Sequence, residues 1–153
     1  MSPRNTWGRR HQVTSLVTGG LLVLAACSGG SGSGTAACPA PRPASGDELA
    51  RLPRGLDLTP VGTVTAVDVP QPGYLAVTVD AKGELPRLTA ALSRALERAG
   101  YTIAGTEDGG VGADVFFTRG ELTAGAAKLT PSECPGRATI TVTLSGPGSS
   151  PAP

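Results

Sequence analysis

Aromatic side chains are scarce in this chain of 153 residues, which has one Trp, two Tyr and two Phe. Carbohydrates and single-stranded nucleic acids are both gripped by stacking on aromatic rings, so neither is an expected ligand. Histidine is scarcer still. His11 is the only one, and it sits with Trp7, Met1 and the sole asparagine, Asn5, in the first 26 residues. From Cys27 onward the chain lacks both the commonest general base and the commonest metal ligand, which excludes Ser-His-Asp and Cys-His catalysis. There is also no Ser-x-x-Lys pair and no glycine-rich phosphate loop carrying a lysine. "GGVGAD", Gly109 to Asp114, opens like a dinucleotide fingerprint but lacks the last glycine and starts no helix, so it reads as a turn. The expectation is a protein that is not an enzyme and uses no cofactor and no metal.

What is present begins with one oily run. Arg4, Arg9, Arg10 and His11 precede an uncharged apolar segment from Val13 to Ala26. A basic head and an apolar stretch of roughly 7–15 residues, shorter than the ~20 of a spanning helix, make a secretory signal peptide over 1–26. Its end, Leu24-Ala25-Ala26-Cys27, resembles the lipobox of bacterial lipoproteins. The resemblance implies a diacylglycerol on the Cys27 thiol, cleavage just before it, and a protein held on the outer face of the cytoplasmic membrane by its lipid. The alternative is ordinary secretory cleavage after Ala25 or Ala26, which leaves an exposed thiol outside the cell. Arg9-Arg10 also raises the twin-arginine route, but His11-Gln12-Val13 fits that signal poorly and the general secretory route is preferred.

Removing 1–26 takes three of the 13 basic residues and leaves ten against 12 acidic ones, a net charge of −2. No basic footprint for nucleic acid survives. Residues 27–43 read as a tether. Ser28 to Gly34 is a flexible coil with a reach on the order of 15 Å, stiffened afterwards by Pro39, Pro41 and Pro43. Residues 146–153 read as a disordered tail. The wealth of Ala, Gly, Pro, Arg and Thr resembles the organisation of small lipoproteins of high-GC Gram-positive bacteria, a likeness that carries no functional motif.

Two further cysteines, Cys38 and Cys134, are an even pair in an oxidising compartment and read as a disulfide. Free thiols or a metal site are the competing readings, and the metal site has no histidine or third cysteine to complete it. The bridge would join the tether to a single domain over 44–145, close to the smallest size with a self-sufficient core.

Within that domain "SGDE", Ser45 to Glu48, is a capping box that starts a short helix, with Leu49 and Leu52 placed to pack. Thr63 to Val69 and Tyr74 to Asp80 read as strands, the second with Leu75, Val77 and Val79 alternating against Ala76, Thr78 and Asp80. Glu84 to Ala99 is a helix carrying Leu85, Leu88, Leu92 and Leu96 on one stripe, with Gly100 as its left-handed cap. Tyr101 and Ile103 open a strand. Val111, Ala113, Val115 and Phe117 share the face of the next, Leu122 to Leu129 is a weaker one, and Ile140, Val142 and Leu144 belong to the last. "TPSE", Thr130 to Glu133, reads as a second capping box and puts Cys134 on a helical turn. The fold expected is α+β, a mostly antiparallel sheet of about five strands with one long helix packed on one face.

Three groups are candidate sites. Arg87, Arg94 and Arg98 lie on the side of the helix away from its leucines and could meet anionic headgroups or an acidic partner, or be a solvated face. Glu107, Asp108 and Asp114 flank Gly109, Gly110 and Gly112, but their spacing fits a hairpin turn better than a calcium loop. Phe116 points away from Phe117 and the core, either as part of a binding surface or packed under the loop that carries Cys134. The function expected is a membrane-anchored binding or accessory module with a protein partner. Its rival is a carrier holding a small apolar ligand or lipid between sheet and helix.

Overall fold

The computed structural model describes residues 38–120 and 123–146. The segment 1–26, Cys27, the tether as far as residue 37 and the tail from 147 lie outside the described residues.

Alternation of β-branched and small residues, interrupted by one helical stripe, produces the order α1 (Gly46–Leu49), β1 (Thr63–Asp68), β2 (Tyr74–Lys82), α2 (Leu85–Arg98), β3 (Thr102–Asp108), β4 (Ala113–Arg119), β5 (Thr123–Pro131) and β6 (Arg137–Ser145). All six strands join one sheet in the order β1-β2-β6-β5-β4-β3, and every neighbouring pair is antiparallel. The fold is α+β, with six strands where about five were expected and a four-residue helix beside the long one.

The strand registers align the buried positions into rows. One row runs Val77, Val142, Ala127, Val115 and Thr106 across β2, β6, β5, β4 and β3. A second runs Val79, Ile140, Leu129, Ala113 and Asp108, and a third runs Leu75, Leu144, Gly125, Phe117 and Ile103. The inner face is therefore apolar through β4 and turns polar on β3. Helix α2 lies over β3, β4 and β5 and buries Leu88, Leu92, Ala95 and Leu96 against them. Leu56, Leu58 and Val61, from the loop before β1, join the same core. Each such aliphatic side chain removed from water contributes about 1.5–3 kcal/mol.

Local chemistry explains the element ends. Ser45 and Glu48 form the expected capping box, each satisfying a backbone N–H of the other. At the far end of α2, Gly100 takes a φ of 84°, Gly100 N donates to Glu97 O and Tyr101 N to Leu96 O, the paired bonds of a Schellman cap.

Three local expectations are corrected. Leu49 is 40% exposed, and it is Leu52 that packs on the core, because α1 ends after four residues. Val111 is 83% exposed in the turn before β4, since the strand begins only at Ala113. "TPSE" caps no helix. Thr130 pairs with Thr139 inside the β5–β6 ladder, and Cys134 sits in the turn that follows, where its N–H donates to Ser132 Oγ and Arg137 N donates to Cys134 O. Cross-strand pairing, which a local pattern cannot register, decides that segment.

Candidate functional site

The linker meets the domain at one end of the sheet. Cys38 and Cys134 form a disulfide across 96 residues of chain, with Cα atoms 5.8 Å apart. Close by, the largely buried Arg137 donates from Nη1 to Pro39 O at 2.8 Å and from Nε and Nη2 to Asp80 Oδ1 at 2.9 and 2.6 Å. A covalent bond holds Cys38 and a charge-assisted cluster holds the adjacent Pro39 of the linker. The charge cluster gave no signal in the sequence, because Asp80 and Arg137 are 57 residues apart and meet only through the β2–β6 register.

The outer face of the sheet is the second feature. Thr78 and Thr141 pair on it, as do Ala76 and Thr143, and Thr141 and Thr143 are exposed. Phe116, 38% exposed, stands on β4 opposite Ala126, and Tyr74, 46% exposed, stands on β2 opposite Ser145. Three strand spacings, about 14 Å, separate the lines of β2 and β4. Between the two rings the floor consists of small residues. Ala124, Ala126, Thr143 and Ser145 border a shallow hollow of about 240 Å³ walled by Tyr74. Thr143 Oγ1 donates to Ala126 O and Ser145 Oγ to Ala124 O, so the hydroxyls are turned into the sheet and the floor presents mainly carbon. Phe116 faces Ala126, well back along β5 from the turn carrying Cys134, so it is not packed beneath that loop. Tyr74 was missed in the sequence, although its alternation with Leu75 already assigns it to the outer face.

The third feature is a cleft of about 400 Å³ between α2 and β3. It arises where the inner rows end in Thr106 and Asp108, and where α2 turns Pro86, Ala90 and Ser93 toward them.

The other candidates are placed as follows. Arg87, Arg94 and Arg98 are exposed on α2. Asp57 accepts from the N–H and hydroxyl of Thr59, which lowers its pKa, with a lesser contribution from the charge of Arg98. Glu107, Asp108 and Asp114 border the β3–β4 hairpin, in which Asp108 Oδ1 accepts from Gly110 N and Gly109 N donates to Gly112 O. Tyr101 packs edge-on against Phe117 with ring centres 5.3 Å apart, while the Arg119 guanidinium lies 5.4 Å from the tyrosine ring centre. Among the described residues no helix is long and apolar enough to cross a membrane.

Comparison with protein-family models, with curated proteins and with solved structures finds no match to the chain. The functional reading rests on its own residues.

Proposed function

We propose that this chain is a lipoprotein anchored through Cys27 to the outer face of the cytoplasmic membrane, and that its domain is a non-enzymatic binding or accessory module for a protein partner. The anchor reading rests on Leu24-Ala25-Ala26-Cys27 behind a basic, then apolar, N-terminal segment. Diacylation supplies the two chains that stable anchoring requires, where one chain would hold only marginally. The binding reading is carried by one observation, the outer sheet face on which Phe116 and Tyr74 stand over a floor of small side chains.

The clamp and the hollow lie at opposite ends of β6. Residues Cys38 and Pro39 are fixed at the end of the sheet where β6 starts, and Ser145, beside the hollow, is at the end of that strand. Eight residue steps of strand, roughly 27 Å, run from Arg137 to Ser145, so a partner seated in the hollow does not meet the clamp.

A benzophenone amino acid placed at residue 116, irradiated in intact cells, tests the binding face. A discrete cross-linked species that is absent when the probe replaces the exposed Arg54, in the loop before β1, supports the reading. The same cross-linking from both positions, or from neither, contradicts it.

The carrier is the second reading, and the cleft between α2 and β3 is the observation that favours it. Native mass spectrometry of the purified protein distinguishes the two, since a carrier retains a lipid of defined mass.

A further inference from the structure

β3 is the last strand of its sheet, and among the described residues it has a strand neighbour on the β4 side only. Its Thr102, Ala104, Thr106, Glu107 and Asp108 are exposed. An edge of this kind offers a row of backbone N–H and C=O groups to any extended chain that lies beside it. Natural edges are commonly blunted by proline, by charged side chains, by bulges or by a covering segment. β3 has no proline or lysine; it carries a register shift between Ile103 and Gly105 and the acidic pair Glu107 and Asp108 at its end, which repels a second β3 but not a basic segment. Alongside the same edge runs the α2–β3 cleft, whose floor and walls are Leu85, Pro86, Ala90 and Ala113, with hydroxyls from Thr89 and Ser93.

We infer that the β3 edge and the adjoining cleft form a second binding site, which takes an extended polypeptide segment as a seventh strand. Strand addition of this type draws its affinity from main-chain hydrogen bonds and its selectivity from pockets for alternate side chains. Both parts are present here. Added antiparallel, as every pair in this sheet is, the segment places alternate side chains on the inner face, where the rows end at Thr106 and Asp108 and the cleft is open.

Charge sets the polarity of the occupant. Glu107 and Asp108 stand at the C-terminal end of β3, and Asp114 pairs with Glu107 from β4. The opposite charge nearest to them in the ladder, Lys128, lies across from Asp114. In an antiparallel seventh strand the residue opposite Asp108 is the segment's first, so the occupant carries Lys or Arg there and small or medium apolar side chains at alternate positions after it. A small apolar ligand could use the cleft but not the strand edge or the carboxylates, so the polypeptide accounts for more of the surface. The site is separate from the Phe116 face, and each reading can fail without the other.

The probe is the peptide Lys-Thr-Val-Thr-Val-Thr-amide carrying fluorescein on its N-terminus through a Gly-Gly spacer, titrated into the full chain in detergent micelles and followed by anisotropy, with hydrogen exchange of residues 102–108 read by mass spectrometry. Saturable binding with slower exchange across β3 is expected. Replacing the peptide lysine with glutamate should weaken it about five- to tenfold, the scale of reversing an exposed ion pair. Ala90→Trp fills the cleft from an exposed position and should abolish binding with an unchanged melting temperature. Thr106→Pro should abolish it by obstructing the edge. Binding that leaves 102–108 unprotected, or that survives Ala90→Trp, overturns the inference. So does a lipid co-purifying in the cleft, or protection of 102–108 by a second copy of the chain without peptide.

Discussion

Arg137 and Asp80 share a charge-assisted pair, with Nη2 and Oδ1 2.6 Å apart, in which the arginine side chain is 8% exposed and the aspartate 27%. The same guanidinium reaches Pro39 O, so one side chain ties strands β2 and β6 to the start of the domain. A pair this dry is asymmetric. Removing one partner strands a charge, whereas removing both can be nearly neutral.

Asp80→Ala should therefore lower stability by about 3 kcal/mol, the low end for a buried pair because the aspartate keeps contact with water. The double variant Asp80→Ala with Arg137→Met should recover part of that loss. Urea unfolding of the three proteins checks both statements. Equal loss in the single and double variants would mean that the unpaired arginine costs nothing.

The Cys38–Cys134 bridge closes a loop of 96 residues. In the chain-entropy account such a loop stabilises by up to about 4.7 kcal/mol, with engineered examples often lower. A chain carrying Cys27→Ala should show no free thiol before reduction and two after it. Reduction should lower the melting temperature by about 4–8 °C for each kcal/mol lost. Replacing both cysteines with serine should match the reduced protein. Two thiols in a protein prepared under oxidising conditions would contradict the bridge.

Gly125 faces Phe117 across the β4–β5 ladder, and a Cβ there would run into the phenylalanine ring and come within 2.7 Å of Thr143 O. The ring covers the strand where a side chain is missing. Gly125→Ala should destabilise by about 1–3 kcal/mol through overpacking, measured by chemical denaturation. An unchanged midpoint would show that the ring moves aside freely.

The difference between what the sequence disclosed and what it hid follows from the range of the forces. The capping box at Ser45, the limits of α2, the cap at Gly100 and the inward set Leu75, Val77 and Val79 are set by neighbours within a turn or by period-two alternation, and they were legible. So was the outward direction of Phe116. The strand order was not, because β2 pairs on one side with its neighbour β1 but on the other with β6, far along the chain. The hollow beside Tyr74, the Asp80–Arg137 pair and the cleft beside β3 exist only once that order is known. Thr130 to Glu133 shows the limit in the other direction, a local helix signal overridden by pairing of Thr130 and Pro131 with Thr139 and Ala138.

Acid should remove a small share of stability through two exposed carboxylates. Hydrogen bonds from Ser45 hold Glu48 below its usual pKa, and hydrogen bonds from Thr59 do the same for Asp57. A carboxyl depressed in the folded state contributes fully above its unfolded value, near pH 4, and loses that contribution as pH falls through the lower folded value. Asp57→Asn and Glu48→Gln should each flatten the decline in melting temperature below about pH 4. An acid limb identical to wild type in both variants would contradict the assignment.

Metabolic labelling with an alkyne analogue of palmitate tests the proposed membrane anchor at Cys27 most directly. The wild-type chain should take up the label and fractionate with membranes, and Cys27→Ala should do neither while retaining its Cys38–Cys134 bridge. An unlabelled wild-type chain recovered from the medium would contradict the anchor and, with it, the placement of this module at the cell surface.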